Sequence, residues 1–312
     1  MLITGWRNKA GFLPTESNAW RAMQITNILI DGVSYGMVLF IIAVGLSITM
    51  GLMRFINLAH GAFAMTGGYL AAWLVRVQGW PFVPGVLAAV LVTGLLGAAL
   101  EVLVLRRLYQ RSELTQVLFT IGLTFLFVAT ANALFGPEVQ LIPLPAWLSA
   151  PVNLGVRTLP MQRLVVVAAG VLVMLASTWL LKHSRFGVWL RATVDNTAAA
   201  SSLGIPIQLV YVLTFATGSA LAGLGGILGA ELMPLEPYYP LKYLVLVLVV
   251  VSVGGMGSIA GSLVAALTLG IVETATKYWA SSYGSLFFFV TMALLLAWRP
   301  HGLLNSASRL KS

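Results

Sequence analysis

Cysteine is absent from this chain, which excludes disulfides, cysteine-ligated metal and thiol catalysis while saying little about compartment. Charge is scarce as well. Asp, Glu, Lys and Arg together make up 9% of the residues, against about a quarter in an average soluble domain. So few charges cannot clothe a water-exposed surface, and a soluble globular protein is excluded. Glycine is plentiful but aperiodic, and apolar runs fill the sequence, so collagen-like and disordered chains are excluded too. What is present is 59% hydrophobic over 312 residues. That composition belongs to a polytopic membrane protein. The net charge of +9 comes from Lys and Arg placed singly or in short clusters between apolar runs, a pattern of membrane topology that calls for no nucleic-acid partner.

A membrane-crossing helix needs about 20 predominantly apolar residues. Such stretches occur at 29–50, 59–75, 83–105, 114–135, 164–181 and 209–230. Thereafter an apolar run from Tyr243 to Val253 meets Gly254, Gly255, Met256, Gly257 and Ser258 before resuming at 263–278, and a last span ends at Trp298. Glycines this dense break a helix, and irregular backbone at membrane depth survives only where protein or a water-filled cavity covers it. The expected fold is therefore an all-α transmembrane bundle of about 8–10 spans with one broken or re-entrant segment.

No apolar signal-peptide core stands within residues 1–20. Residues 1–24 are read as a periplasmic tail, 25–299 as the transmembrane domain with a cytoplasmic loop at 182–207, and 300–312 as a cytoplasmic tail. Ten of the eighteen basic residues, Arg54, Arg106, Arg107, Arg111, Lys182, Arg185, Arg191, Arg299, Arg309 and Lys311, fall on one side in this scheme. The positive-inside rule makes that side cytoplasmic. The loop at 137–160 holds five prolines and Trp147, which reads as structured chain at the external interface.

Two connections carry information. In the first, Arg54, Asn57 and His60 interrupt apolar sequence. Asn57 is placed to cap the second helix, and the segment reads either as a capped turn or as the inner mouth of a pathway. A lone His60 makes no metal site. The second is the loop from Lys182 to Pro206, basic at its start and then rich in Ala and Ser. From Asp195 to Leu203 it reads as a short helix, with Asp195 or Asn196 as N-cap and Gly204 as the stop before Pro206. Its small side chains suit close docking against a partner, where a solvated helix is usually richer in Glu and Lys.

The segments RFINLAHG (54–61), SRFGVWLRA (184–192), AAASSLGI (198–205) and GGMGSIAG (254–261), in this order and with apolar spans between them, resemble the LivH-type permeases of branched-chain amino-acid ABC importers over residues 25–303. The resemblance implies half of a transmembrane path in the bacterial inner membrane. Its implied partners are a second homologous permease subunit, two ATP-binding subunits, a periplasmic solute-binding protein and membrane lipid, with no cofactor and no enzymatic activity of its own. In that family the cytoplasmic loop docks on the ATPase through an EAA-type motif, whose element Arg185, Gly187, Arg191, Asp195, Ala198, Ala199 and Gly204 would occupy here. Thr197 or Ala198 stands where the family has Glu, and Asp195 is the remaining anion at the helix start. ATP-driven closure would then move the 195–204 helix and bias the spans between inward-open and outward-open states. No Gly-Lys pair exists in the chain, so it lacks a phosphate-cradling loop of its own.

Gln116, Thr120 and Thr124 recur every four residues and share one helix face. In a membrane that face meets protein or path, and hydrogen bonding between helices competes with lining the path. Glu101 is expected to reach Arg106, and Glu273 to pair with Lys277 one turn later. Glycine pairs at 32/36, 225/229 and 257/261 suit close helix packing. The GxSxG pattern at 32–36 lies within a span and lacks the strand-to-helix elbow of a nucleophile. Three other readings stand behind the permease: a self-contained secondary carrier using Glu273, a related ABC permease for urea, amides or aromatic acids, and a membrane-embedded enzyme, against which His60, His183 and His301 lack zinc-ligand spacing or a paired acid.

Overall fold

A computed structural model describes residues 14–53, 55–153, 158–279 and 283–298. Its elements in order are α1 (Pro14–Met53), α2 (His60–Ala72) prolonged by a π-helical turn over Trp73–Val77, α3 (Phe82–Leu103) and a 3-10 turn over Leu105–Leu108. There follow α4 (Glu113–Phe135), α5 (Ala146–Ser149), β1 (Pro151–Asn153), β2 (Thr158–Pro160), α6 (Met161–His183), α7 (Arg185–Asp195) and α8 (Thr197–Ser202). The chain closes with α9 (Ile207–Leu228), α10 (Tyr239–Gly254), α11 (Ile259–Trp279) and α12 (Gly284–Trp298). Among the described residues six helices are long and apolar enough to cross a membrane, within α1, α3, α4, α6, α9 and α11, and two shorter apolar helices lie within α10 and α12. The chain is a polytopic helical membrane protein. Arg54, Arg299, Arg309 and Lys311, which the charge argument used, lie outside the described residues.

From Ser34 to Thr49 helix α1 is predominantly apolar and buried at every residue, with Val38 to Val44 all but sealed from the surface. It packs mainly against α11 and α9. The α1–α11 seam runs antiparallel, with Gly32 against Ile271, Gly36 against Ala266 and Leu267, and Gly51 against Gly257. In hydrocarbon such contact depends on close backbone approach, which small residues permit. The glycine-rich segment at 254–258 does break the helix: Gly255 adopts φ 92° and Gly257 φ 81°, and α11 starts immediately beyond. Gly257 N donates to Ser47 Oγ at 3.2 Å, pinning this turn to the C-terminal part of α1.

Helix α9 lies between α1, α2 and α3. Gly218 meets Gly45, Gly223 meets Gly67 and Thr93, and Gly226 meets Ala64. Exposed leucines line the outside, as at Leu87, Leu91 and Leu95 on α3. Both ion pairs expected from spacing are present. Lys277 Nζ reaches Glu273 Oε1 at 2.8 Å. Arg106 grips the fully buried Glu101 carboxylate through Nε at 3.3 Å and Nη2 at 3.0 Å. Tyr109 Oη adds a third donor at 3.1 Å. Burial, and next the Glu101 charge, hold the Tyr109 phenol well above its ordinary range, so it remains a donor. At the opposite end, β1 and β2 form a small antiparallel hairpin with Pro151 across from Pro160.

Candidate functional site

Two groups of the singled-out residues are drawn together, at different depths. The first is the α7–α8 arm, which leaves the bundle between α6 and α9. Ser184 starts it: Oγ accepts from Gly187 N at 3.0 Å and donates to Leu180 O at 2.5 Å. Gly187 has to be glycine, since a Cβ there would stand 2.2 Å from Leu181 O. Arg191 Nη1 donates to that same Leu181 carbonyl, satisfying an acceptor that the end of α6 leaves open. Leu190 is buried in the core, so α7 is clamped to the bundle by one face.

Asn196 then caps α8, its Oδ1 accepting from Ala199 N at 3.0 Å. Of the two cap candidates it is Asn196 that serves; Asp195 is the exposed last residue of α7. Gly204 takes φ 78°, its N–H donating to Ser201 O at 2.9 Å, and the chain passes through Pro206 straight into α9. Within α8 only Ala200 is buried. Thr197, Ala198, Ala199, Ser201 and Ser202 are exposed, and Leu203 beyond them is 81% exposed. Sequence reasoning found the small-residue helix but missed α7 and the apolar tip. The Ser184 cap followed by Gly187 and Leu190 was the available signal.

The second group surrounds the connection from α1 to α2. His60, the first residue of α2, sits at the level of Ile42, whose carbonyl accepts from His60 Nε2 at 2.9 Å. Ile42 lies eleven residues, about 16 Å of helix rise, before the end of α1 at Met53, so α2 begins inside the bundle. Residues 55–57 are therefore non-helical chain at membrane depth, turning at Leu58 and Ala59. Their backbone polar groups need partners there, and the stripe on α4 supplies them. Gln116 Oε1 accepts from Ile56 N at 3.4 Å, Thr120 Oγ1 accepts from Leu58 N at 3.2 Å, and Thr124 Oγ1 donates to Leu58 O at 3.3 Å. The stripe is spent on backbone within this chain. Asn57 does not cap α2, whose N-cap position is Ala59. Instead Asn57 Oδ1 accepts from Ala59 N at 3.1 Å, because the extended chain places Asn57 too early for a cap. Asn57 Nδ2 is buried without a partner among the described residues.

Polar contacts connect the second group to the first turn of α9, just beyond the arm. Gln116 Nε2 donates to Leu108 O and Arg111 O, each at 3.3 Å, and Arg106 Nη1 in the adjoining turn donates to Gln208 Oε1 at 3.1 Å on the first turn of α9. Thr120→Val should leave Leu58 N unsatisfied and lower stability by about 1–3 kcal/mol, read as a fall in the thermal midpoint of the purified protein, with Thr120→Ser close to wild type. An unshifted midpoint for the valine variant would mean that the stripe does not hold this segment. Among the described residues no group of three His, Asp or Glu is disposed to hold a metal ion.

A family model described as branched-chain amino acid transport system / permease component matches residues 28–297. The chain is 26% identical over 290 residues to the high-affinity branched-chain amino acid transport system permease protein LivH of Escherichia coli (strain K12), covering 89% of this chain and 94% of LivH. It is likewise 26% identical to the permease protein BraD of Pseudomonas aeruginosa, with the same coverage. Identity to the ribose import permease protein RbsC of Escherichia coli is 28% over 244 residues, covering 75% of this chain and 72% of that one. No solved structure matches.

Proposed function

Because the chain belongs to the family of permease components of branched-chain amino acid transport systems, we propose that it is one half of the membrane path of an ATP-binding cassette importer. A second, related permease completes the path in the bacterial inner membrane. Two separate ATPase subunits drive it, and an extracytoplasmic binding protein delivers a branched-chain, hydrophobic amino acid. The chain itself is a transport subunit and carries out no chemistry.

The observation that carries this reading is the α7–α8 arm. Its exposed face consists of small side chains ending in Leu203, and it runs through Gly204 and Pro206 into α9. A push on α8 therefore reaches the helix that lies between α1, α2 and α3. A second route runs from Gln208 through Arg106 and the 105–111 turn to Gln116 and the extended segment before α2. Arg185, Arg191 and Asp195 supply charge beside the docking face, while Gly187 sets the angle of the arm. Asn57, His60, Gln116, Thr120 and Thr124 act in transport by holding the interrupted span in position along the path. Two-state gating then needs only that ATP-bound and ATP-free motors prefer different arm positions.

Because the chain has no native cysteine, a single Ala198→Cys variant allows a clean test. In membranes containing the whole transporter, a thiol cross-linker should join the introduced thiol to the ATPase subunit and to no other protein, with yield changing on ATP addition. Cross-linking to the binding protein instead, or none in an assembled complex, would overturn the docking assignment. Uptake that persists in ATP-free vesicles under a proton gradient would favour the secondary carrier.

A further inference from the structure

At the end of the bundle opposite α7 and α8, a cavity of about 550 Å³ opens between four segments. Its size falls in the ~300–1,000 Å³ range of small-molecule sites. Arg76 enters from the π-helical turn that ends α2, and Glu231 from the chain just after α9. Gln162 on the first turn of α6 and Gln140 also line it. Gln140 is fixed by its backbone N–H donating to Leu235 O at 2.8 Å. Gln162 is buried, and with its amide nitrogen turned to the carboxylate it donates to Glu231 Oε1 at 3.0 Å. Much of the remaining wall is apolar, including Ile142 and Ile227.

The charges are the informative feature. Arg76 and Glu231 line one cavity, yet they form no ion pair with each other, and Arg76 has no hydrogen-bonding partner among the described residues. Both residues are exposed, so their charges stay hydrated and apart at little cost and are accessible to a ligand entering the apolar-walled cavity. A ligand carrying a carboxylate and an ammonium on one carbon can meet both charges at once. The guanidinium takes a carboxylate with two parallel N–H donors, and the Glu231 carboxylate, held by Gln162, takes an ammonium. An aliphatic side chain then fits against Ile142 and Ile227. The π turn that carries Arg76 adds a second indication, since such turns concentrate at functional sites.

We infer that this cavity is a reception site for the zwitterionic head of an apolar α-amino acid, Arg76 binding its carboxylate and Glu231 its ammonium. The inference rests on the transport reading above and adds to it a place where the permease itself contacts the solute. Helix α9 separates this cavity from the arm by about 33 Å, so the two ideas can be tested apart.

The test uses the full-length chain alone in lipid nanodiscs, with equilibrium binding of radiolabelled leucine. Leucine should bind. Competition by 4-methylpentanoate, which lacks the ammonium, and by 3-methylbutylamine, which lacks the carboxylate, should each be weaker by about tenfold or more. Arg76→Gln and Glu231→Gln should each weaken leucine binding to a similar degree in protein that stays monodisperse. Equal competition by either analogue, unchanged binding by both variants, or no binding by well-folded wild type overturns the inference. So does a result in which the two variants keep leucine but lose the solute-binding protein, which would make the charges a protein-docking surface. Wild-type leucine binding, with no cross-link from position 198 to an ATPase in the Ala198→Cys transporter, would retain this site and remove the coupling proposal.

Discussion

Leu203→Glu should reduce solute-stimulated ATP hydrolysis by the assembled transporter at least about tenfold, leaving membrane insertion and monodispersity of the permease intact. Leu203 stands beyond the last turn of α8, 81% exposed, beside a glycine whose φ of 78° fixes its direction. A leucine so placed contributes nothing to the fold, so its loss costs the bundle little. Buried in a partner's groove it would contribute about 1.5–3 kcal/mol, and about 1.4 kcal/mol is a tenfold change in an equilibrium constant. A glutamate must in addition be desolvated there without a partner. Leu203→Met, similar in volume and apolar, should retain most of the activity. Steady-state ATPase rates in proteoliposomes, with and without loaded binding protein, measure the effect. Wild-type stimulation in the glutamate variant would show that this tip does not meet the motor.

The second large effect concerns the glycine contacts. Gly226→Val should abolish recovery of folded protein, because even the Cβ would sit 2.0 Å from Ala64 O, with a helix backbone on either side. Overpacking a well-packed core typically costs about 1–3 kcal/mol and sometimes more. Here neither partner is a flexible side chain, so α9 must move from α2 or fail to pack. Gly122 on α4 provides the contrast. It is helical, exposed, and has nothing within 4 Å of a built Cβ, so Gly122→Ala should be neutral or stabilising by up to about 1 kcal/mol. Size-exclusion profiles of fluorescent fusions in detergent separate the two cases. A well-folded Gly226→Val protein would mean that α2 and α9 are not in backbone contact.

Much of this arrangement is legible before any coordinates. Apolar runs mark the spans because a bilayer accepts only chain that satisfies its own backbone, and that demand is local. The pairs Glu101–Arg106 and Glu273–Lys277 follow from helical spacing. The stop at Gly204 and a cap at Asp195 or Asn196 follow from the same short-range chemistry of helix ends, and the fold selects Asn196. The stripe at Gln116, Thr120 and Thr124 is legible as a single face, but what it faces is not. Its partners, Ile56 and Leu58, are about sixty residues away, and apolar sequence gives no sign that the chain there is extended.

Composition, period and capping are properties of neighbouring residues, and they suffice to make this chain a helical membrane bundle with a small-residue arm between two spans. They leave open that α2 starts well inside the bundle, that Leu203 projects while Leu190 is buried, and that Arg76 and Glu231 share a cavity. Those features come from packing in three dimensions. Each depends on which backbones approach at glycine contacts and which polar groups must then find partners across the fold, and such pairings between distant segments leave no local trace.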